Sequence, residues 1–558
     1  MEKSKHTNWY KNVVFYQIYP RSFCDKNNDG MGDIPGIISK LDYLKDLGIG
    51  AIWLSPVYDS PQYDNGYDIA DYRNIWKPFG TMNDMKLLIK ECHKRNIKLV
   101  MDLVVNHTSS EHAWFKSAIS DVHSPYRNYY IIKRGKKDGK KPPNNWSSFF
   151  GGSAWERIPN TNDYYLHLFA KEQPDLNWEN RKVRREIVDI LRFWMDLGID
   201  GFRCDVITLI SKDQRFKNDV SLFLRGKKYY MNGPLLHEYL HMLYEYAYKD
   251  YDVMTVGETV MGNIKKDKQL VNPKHHELDM IFNFAHTDVD NYLGVKYLYR
   301  KFSLTRFKKR LAKNQYALAN GKGWNSLFIE NHDQRRSAGR FGTDLNEYRV
   351  KSAKALATSY FLLQGTPFIY QGQEIGMQNM DYESIYDFKD VEVNNMYKTL
   401  QKSKIVKSIM GKHLFDTSRD NARTPMQWDN SYYAGFSEAE PWIKVNQNKS
   451  FINVKDALND NDSILNYYKK LIKIRKQYNI VRDGEFKLLY PCNNKLFIYT
   501  RKSKKHTMLV MVSFSKKNTR NVLKNKLDGY QLILTNDPKN ERDIIHPYEA
   551  RVYIKENK

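Results

Sequence analysis

Residues 184–206 read RREIVDILRFWMDLGIDGFRCDV, and this stretch decides the fold. Its first part, RREIVDILRFWMDLG (184–198), repeats apolar residues at the helical period, and GFRCDV (201–206) follows as a short strand-like run. The same pairing continues on both sides. Strand-like runs occur upstream at VVFYQIY (13–19), AIWLS (51–55) and KLVMDLVV (98–105). Downstream they occur at DVMTVGE (252–258), DMIFNF (279–284), SLFIEN (326–331) and PFIYQG (367–372). Several are apolar on both faces, as parallel strands covered by helices must be. Helical patterns lie between them. IISKLDYLKDLG (37–48) is apolar at 37, 38, 41, 44 and 47, and DMKLLIKECHKR (84–95) and YRVKSAKALATSYFLL (348–363) are of the same kind. Eight such units predict an α/β chain folded as a (β/α)8 TIM barrel rather than a doubly wound sheet.

Two segments break the alternation. Residues 106–174 form an aromatic-rich insertion after the third strand, with HAWF, YRNYYII, NNWSSFFGGSAW and YYLHLF within it. A long insertion there builds the wall of a site on the barrel's C-terminal face. From 478 the pattern changes to short strands, EFKLLY (485–490), KLFIYT (495–500), TMLVMVSF (507–514), YQLILT (530–535) and ARVYIK (550–555). The expected organisation is a barrel from 1–105 and 175–477, an inserted domain at 106–174, and an antiparallel β-domain at 478–558.

Composition narrows the class. A chain of 558 residues exceeds what one hydrophobic core supports, and 41% apolar content fills more than one. Lys+Arg exceed Asp+Glu by 89 to 64, a net +25. The basic residues are spread along the chain, and the densest runs, 133–141 and 501–506, are short, so no nucleic-acid partner is expected. Cysteines 24, 92, 204 and 492 share no metal-like spacing and are too few to staple the chain, which fits a reduced compartment. The N-terminal MEKSKHTNWY lacks an apolar leader pattern, and no run of 18 apolar residues occurs. A cytoplasmic protein without a membrane partner is expected.

Barrel enzymes carry their chemistry at the C-terminal ends of several strands. Here those ends hold Asn106 and His107, then Arg203 and Asp205, then Glu258, then His332 and Asp333. Two carboxylates flanking a bond are what glycoside hydrolysis needs: one protonates the leaving oxygen, and the other attacks the anomeric carbon or activates water. Arg203, on the same strand face as Asp205, is expected to hold that carboxylate ionised. Asp333 supplies a further carboxylate to stabilise positive charge on the ring, and His107 and His332 supply donors for sugar hydroxyls.

DLVVNH (102–107), GFRCDV (201–206), VGE (256–258) and ENHD (330–333) occur in this order, and the chain resembles glycoside hydrolase family 13, the α-amylase family, over nearly its whole length. The resemblance implies a retaining mechanism with Asp205 as nucleophile, Glu258 as acid/base and Asp333 as transition-state carboxylate. QPDLNWEN (173–180), DNGYDI (64–69), RDNARTPMQWD (419–429) and YQGQEIGM (370–377) look like the oligo-1,6-glucosidase, or isomaltase, branch. In that branch Asp64, Tyr67 and Arg423 hold the non-reducing glucose, making the enzyme exo-acting. Phe150, Phe169 and Gln173 match wall positions, and Val206 after the nucleophile goes with α-1,6 preference. The implied substrates are short gluco-oligosaccharides such as isomaltose, isomaltotriose and panose. An α-1,4-glucosidase, a sucrose isomerase and a trehalose-6-phosphate hydrolase share these motifs. The non-enzymatic transporter heavy chain sharing this barrel needs a membrane helix and loses the acids, and neither fits this sequence.

The run DKNNDGMGD (25–33) offers oxygens from Asp25, Asn27, Asp29, the Met31 carbonyl and Asp33, with a glycine at 30 for the sharp turn. This hard oxygen set suits Ca2+ or Mg2+ in a structural role, and members of the branch carry such a site; an unmetallated Asx-rich turn is the alternative. No organic cofactor is implied, and a monomer is expected. The chain departs from the branch at NHDQRR, where Arg335 replaces a proline and is expected to loosen the loop and add charge near the acceptor side. Cys204 is the other departure, and its side chain is expected to point away from the pocket.

Overall fold

The computed structural model describes residues 6–292, 295–401, 411 and 413–557. Residues 1–5, part of the N-terminal stretch read above, lie outside the described residues.

All eight expected barrel strands are present: β1 (Phe15–Ile18), β2 (Ala51–Leu54), β3 (Lys98–Leu103), β4 (Gly201–Cys204), β5 (Met254–Thr259), β6 (Met280–Asn283), β7 (Ser326–Leu327) and β8 (Thr366–Tyr370). They form one parallel sheet in the order β6-β5-β4-β3-β2-β1-β8-β7. A bridge between Ile281 and Asn325 joins its two edges and nearly closes the barrel. Its interior is filled by Phe15, Trp53, Val100, Met254, Val256, Met280, Phe282 and Phe368. The opposite strand faces, including Tyr16, Ile52, Leu99 and Phe202, pack beneath the surrounding helices.

The helices follow the apolar periods. Met82–Lys94 starts on a capping box in which Thr81 and Asp84 satisfy each other's backbone amides. Arg181–Asp196 buries Val183, Ile187, Ile190, Leu191 and Trp194. The pattern at 37–48 is two helices, Ile34–Ser39 and Leu41–Leu47, because Lys40 leaves helical geometry at φ −109°, ψ 6°. Asp33 starts the first by accepting from the Gly36 amide.

The insertion carries a helix, Ala113–Ser120, and a small three-stranded sheet of Ile132–Arg134, Asp163–Leu166 and Trp155–Arg157. Its apolar cluster of Ile131, Trp146, Trp155 and Leu166 continues into Val206 and Leu209 from the end of β4, so the insertion is packed directly onto the barrel rim. At the C-terminus the five expected strands pair antiparallel, β9 (Glu485–Leu489), β10 (Leu496–Lys502), β11 (His506–Ser513), β12 (Gln531–Thr535) and β13 (Ala550–Glu556), in the order β9-β10-β11-β13-β12. One face shares the barrel's outer core through Phe497, Val510 and Val552. No helix among the described residues is long and apolar enough to cross a membrane.

Candidate active site

The C-terminal strand ends and the insertion enclose a cavity of about 310 Å3. Ten residues expected in the site line it: Asp64, Tyr67, His107, Phe150, Phe169, Gln173, Asp205, Val206, Glu258 and Asp333. The other three, Arg203, His332 and Arg423, are almost fully buried and sit behind that lining, each bonded to a residue that forms it.

Arg203 organises the acids. From β4 its Nη1 donates to Asp205 and to Asp102, each at 2.7 Å, and its Nη2 donates to Glu258 at 2.5 Å. The guanidinium lies over the rings of Trp53 and Tyr67, at 5.2 and 5.7 Å. Arg203 thus pairs with Asp102 and Glu258 as well as with Asp205. One buried cation is shared by three carboxylates, because β3, β4 and β5 are adjacent and their ends point to the same place. Burial pushes the Asp205 carboxyl well up, and the nearby charges of Glu258, Asp102 and Asp333 add to this against Arg203. Two acids held side by side on one guanidinium are the pair that acid-assisted attack at a sugar carbon uses.

Asp333 is set differently. His332 Nε2 lies 3.0 Å from one oxygen, and Arg423 Nη2 donates to the other at 2.8 Å. Against its burial, His332, Arg419 and Arg423 hold this carboxyl well below the usual range. It is fixed as an anion. His332 is fully buried, its ring nitrogens engaged by Gln17 at 2.7 Å and the Tyr67 hydroxyl at 2.7 Å, and its ring stacks on Tyr67. In this arrangement His332 orients Asp333 and Tyr67, with no surface of its own on the cavity.

The closed end is a polar net. Gln173 Nε2 donates to Asp64 at 3.2 Å and to the Tyr67 carbonyl at 3.1 Å, and it lies 3.1 Å from His107 Nε2. Burial lowers the His107 imidazole to about 4, so it is neutral near pH 7. Phe169 stacks on Phe149 at 5.2 Å and meets Phe150 edge-on at 5.6 Å, giving the insertion's apolar wall.

Sequence reading missed Arg419. It donates to Asp390 at 2.6 Å, to Asp64 at 3.3 Å and to Asp333 at 3.4 Å, and lies 5.3 Å over Phe150. The available signal was the pair of arginines four apart in RDNARTP, of which only Arg423 was singled out. Lys296 and Glu392, also in the lining, pair with each other at 2.5 Å. Val206 is not an ordinary strand residue. It follows β4 in the left-handed region, φ 36° and ψ 37°, which a β-branched side chain rarely adopts, and its amide donates to Glu258 at 3.3 Å. Arg335 is pinned rather than loose: it donates to Asp290 at 2.7 Å and lies 4.3 Å over Tyr299, while Arg340 holds the same carboxylate. Cys204 is buried in the outer core, as expected.

The loop at 25–33 is wound around its own acids. Asp25 accepts from the amides of Asn28 and Gly30, Asn27 from Asp29, Asp29 from Met31, and Asp33 from Lys26, Asn27 and Gly36. Gly30 takes φ +87°, and a Cβ there would lie 2.2 Å from the Glu440 carbonyl oxygen. Every donor in the set is a hard oxygen, and each carboxylate oxygen bonded to one amide keeps a lone pair. The three acids do not yet draw their oxygens within 4.8 Å of one another.

The α-amylase catalytic domain model matches residues 17–484. The chain is 49% identical to an oligo-1,6-glucosidase of Parageobacillus thermoglucosidasius, covering 98% of each. Among solved structures it superposes on a trehalose-6-phosphate hydrolase of Bacillus licheniformis at a TM-score of 0.92 and 45% identity, covering 98% of this chain and 99% of that one. It superposes on an isomaltulose synthase of a Klebsiella strain at 0.94 and 40% identity, again over 98% and 99%. With its acids gathered on one rim of an eight-stranded barrel, this chain belongs to the α-amylase family and is a glycoside hydrolase.

Proposed function

We propose that this protein is a retaining, exo-acting oligo-1,6-glucosidase that releases glucose from the non-reducing end of short α-1,6-linked gluco-oligosaccharides. The observation that carries it is one guanidinium holding Asp205 and Glu258 through its two terminal nitrogens. That keeps the two carboxyls close, as direct attack requires, whereas an inverting pair needs room for a water between them. Asp205 attacks the anomeric carbon while Glu258 protonates the leaving oxygen. Glu258 then takes a proton from water, which opens the glucosyl ester. Asp333, held as an anion, stabilises the positive charge on the ring in both steps. The net of Asp64, Gln173, His107 and Arg419 closes the cavity behind one glucose and supports exo action. The full-length likeness to oligo-1,6-glucosidases and Val206 support the α-1,6 linkage.

A trehalose-6-phosphate hydrolase is the second reading, favoured by the structural likeness. Against it, the cations described in the lining are already spoken for: Lys296 by Glu392, and Arg419 by Asp390 and Asp64. A phosphate dianion would meet no spare positive charge there. Initial rates on isomaltose, maltose, sucrose and trehalose 6-phosphate decide the matter; isomaltose is expected to give the highest kcat/KM. Val206→Thr is expected to raise the maltose-to-isomaltose ratio, within the ~1–3 kcal/mol that one small group contributes. A wild type that prefers maltose, with a ratio unmoved by the substitution, overturns the linkage assignment.

The loop supports a structural Ca2+, with Mg2+ the alternative, held by Asp25, Asn27, Asp29, the Met31 carbonyl and Asp33. The ion would supply charge neutralisation to the loop. A monomeric, cytoplasmic enzyme fits the reading.

A further inference from the structure

The sequence at 237–241 is HEYLH, and it lies on the helix Leu236–Leu243. Histidines four apart on a helix face the same side and can reach one metal ion. The segment packed beside this helix carries three more relevant residues, His275, His276 and Glu277.

Glu277 is the centre of the group. Its carboxylate is buried, and its ion partners among the described residues are all histidines. His237 Nδ1 lies 2.8 Å from Oε2 and 3.0 Å from Oε1. His275 Nδ1 lies 3.6 Å from Oε1. His241, one turn further along the helix, places Nδ1 3.0 Å from the carbonyl oxygen of His275. His237 and His275 are 49% and 43% exposed at their side chains, so an ion can enter from solvent.

A second cluster makes a useful contrast. Asp537, His546 and Glu549 already bring ligand atoms within 4.8 Å of one another. There, however, Lys351 holds Asp537 at 2.8 Å and Arg551 holds Glu549 at 2.5 Å. Those cations balance the acids and would repel an ion. No lysine or arginine pairs with Glu277 among the described residues.

We propose that His237, His275 and Glu277, with His241 beside them, bind a divalent transition-metal ion of the Zn2+ class. Imidazole nitrogens with one carboxylate form a donor set suited to Zn2+ rather than to Ca2+ or Mg2+. Zn–ligand bonds of about 2.0–2.2 Å at tetrahedral angles place ligand atoms about 3.3 Å apart. Glu277 sits 2.8–3.0 Å from the His237 nitrogen and 3.6 Å from the His275 nitrogen. The three ligand atoms are not all within 4.8 Å of one another, so the half-exposed His275 ring, whose Nδ1 is 3.1 Å from the Gln269 carbonyl, must turn inward to close the site. The site lies away from the chemistry: residue 277 precedes Asp279, which accepts from the Thr255 amide at the N-terminal ends of β5 and β6. The catalytic acids occupy the opposite ends. Bound metal would tie the helix Leu236–Leu243 to the segment entering β6.

The test is calorimetric titration of the metal-free full chain with Zn2+ in saturating Ca2+, with Co2+ and its visible absorption as a geometric probe. One saturable ion per chain with a tetrahedral Co2+ spectrum is expected, together with a higher Tm. His237→Ala/His275→Ala, at half-exposed positions, is expected to weaken binding at least tenfold while leaving kcat on isomaltose unchanged. Glu277→Gln, which keeps the volume and a hydrogen-bonding group, is expected to do the same. Equal Zn2+ affinity in wild type and both variants, or no saturable uptake by the wild type, overturns the proposal.

Discussion

The barrel rim and the loop at 25–33 both crowd carboxylates together, and they balance that charge by opposite means. On the rim, Asp102, Asp205 and Glu258 share Arg203, while Asp333, Asp64 and Asp390 share Arg419 and Arg423. In the loop, Asp25, Asp29 and Asp33 are met by main-chain amides. Guanidinium groups do not titrate in the working range and are fixed by the surrounding core, so the rim is charged and oriented before substrate arrives. Amides carry only partial charge, so the loop is left with an excess that a hard cation would relieve. Burial raises the Asp33 carboxyl despite its three amides.

Asp205→Ala breaks the rim most severely. If Asp205 is the nucleophile as proposed, kcat on isomaltose is expected to fall by three orders of magnitude or more, with the thermal melt nearly unchanged. A variant that keeps a tenth of the rate removes Asp205 from the mechanism. Next comes Arg419→Ala, which strands Asp390 and Asp64 together. Breaking a buried pair costs about 3–5 kcal/mol, so a clearly lowered Tm and a raised KM are expected from melting curves and steady-state kinetics. Unchanged stability would mean that the pairing in the closed end matters less than its geometry implies.

The rim's arginines do not respond to pH, so its acid limit belongs to other groups. His107 is lowered to about 4 by burial, so the unfolded chain, with an ordinary histidine, binds the proton first. Stability is complete above about pH 6.5 and is lost as pH falls through that value towards 4, at most about 3 kcal/mol for this one residue. Urea unfolding between pH 7 and 4 checks it; His107→Gln is expected to flatten the profile, and a parallel profile rejects the assignment. The loop gives the smallest effect. Chelation is expected to lower Tm by the equivalent of about 2.7 kcal/mol, relative to Ca2+ at a hundredfold excess over its Kd, without changing the initial rate at low temperature. Immediate loss of turnover with no change in Tm would place the metal in the chemistry instead.

How much of this could be read in advance depended on whether the signal was local. The barrel strands were legible because burial on both faces leaves continuous apolar runs, and even the two-residue β7 kept its flanking pattern at SLFIEN. The break at Lys40 was not legible, since the apolar period runs through it unbroken. The acids at the strand ends were legible because topology alone brings them together. Arg419 was not, because its role depends on Asp390, 29 residues away in a segment without a periodic pattern. The sharing of Arg203 was hidden for the same reason: strand alternation pairs it with Asp205, but only the sheet order brings Asp102 and Glu258 to it.

The left-handed backbone at Val206 has a consequence for anyone re-engineering this enzyme. Its side chain forms part of the cavity wall, and its amide donates to Glu258. Whatever replaces valine also resets how readily the chain holds that unusual turn, and with it where the Glu258 carboxylate sits. The shape of the cavity wall and the placement of that carboxylate are therefore not independent dials in this protein; a library screened at position 206 for one will drift in the other.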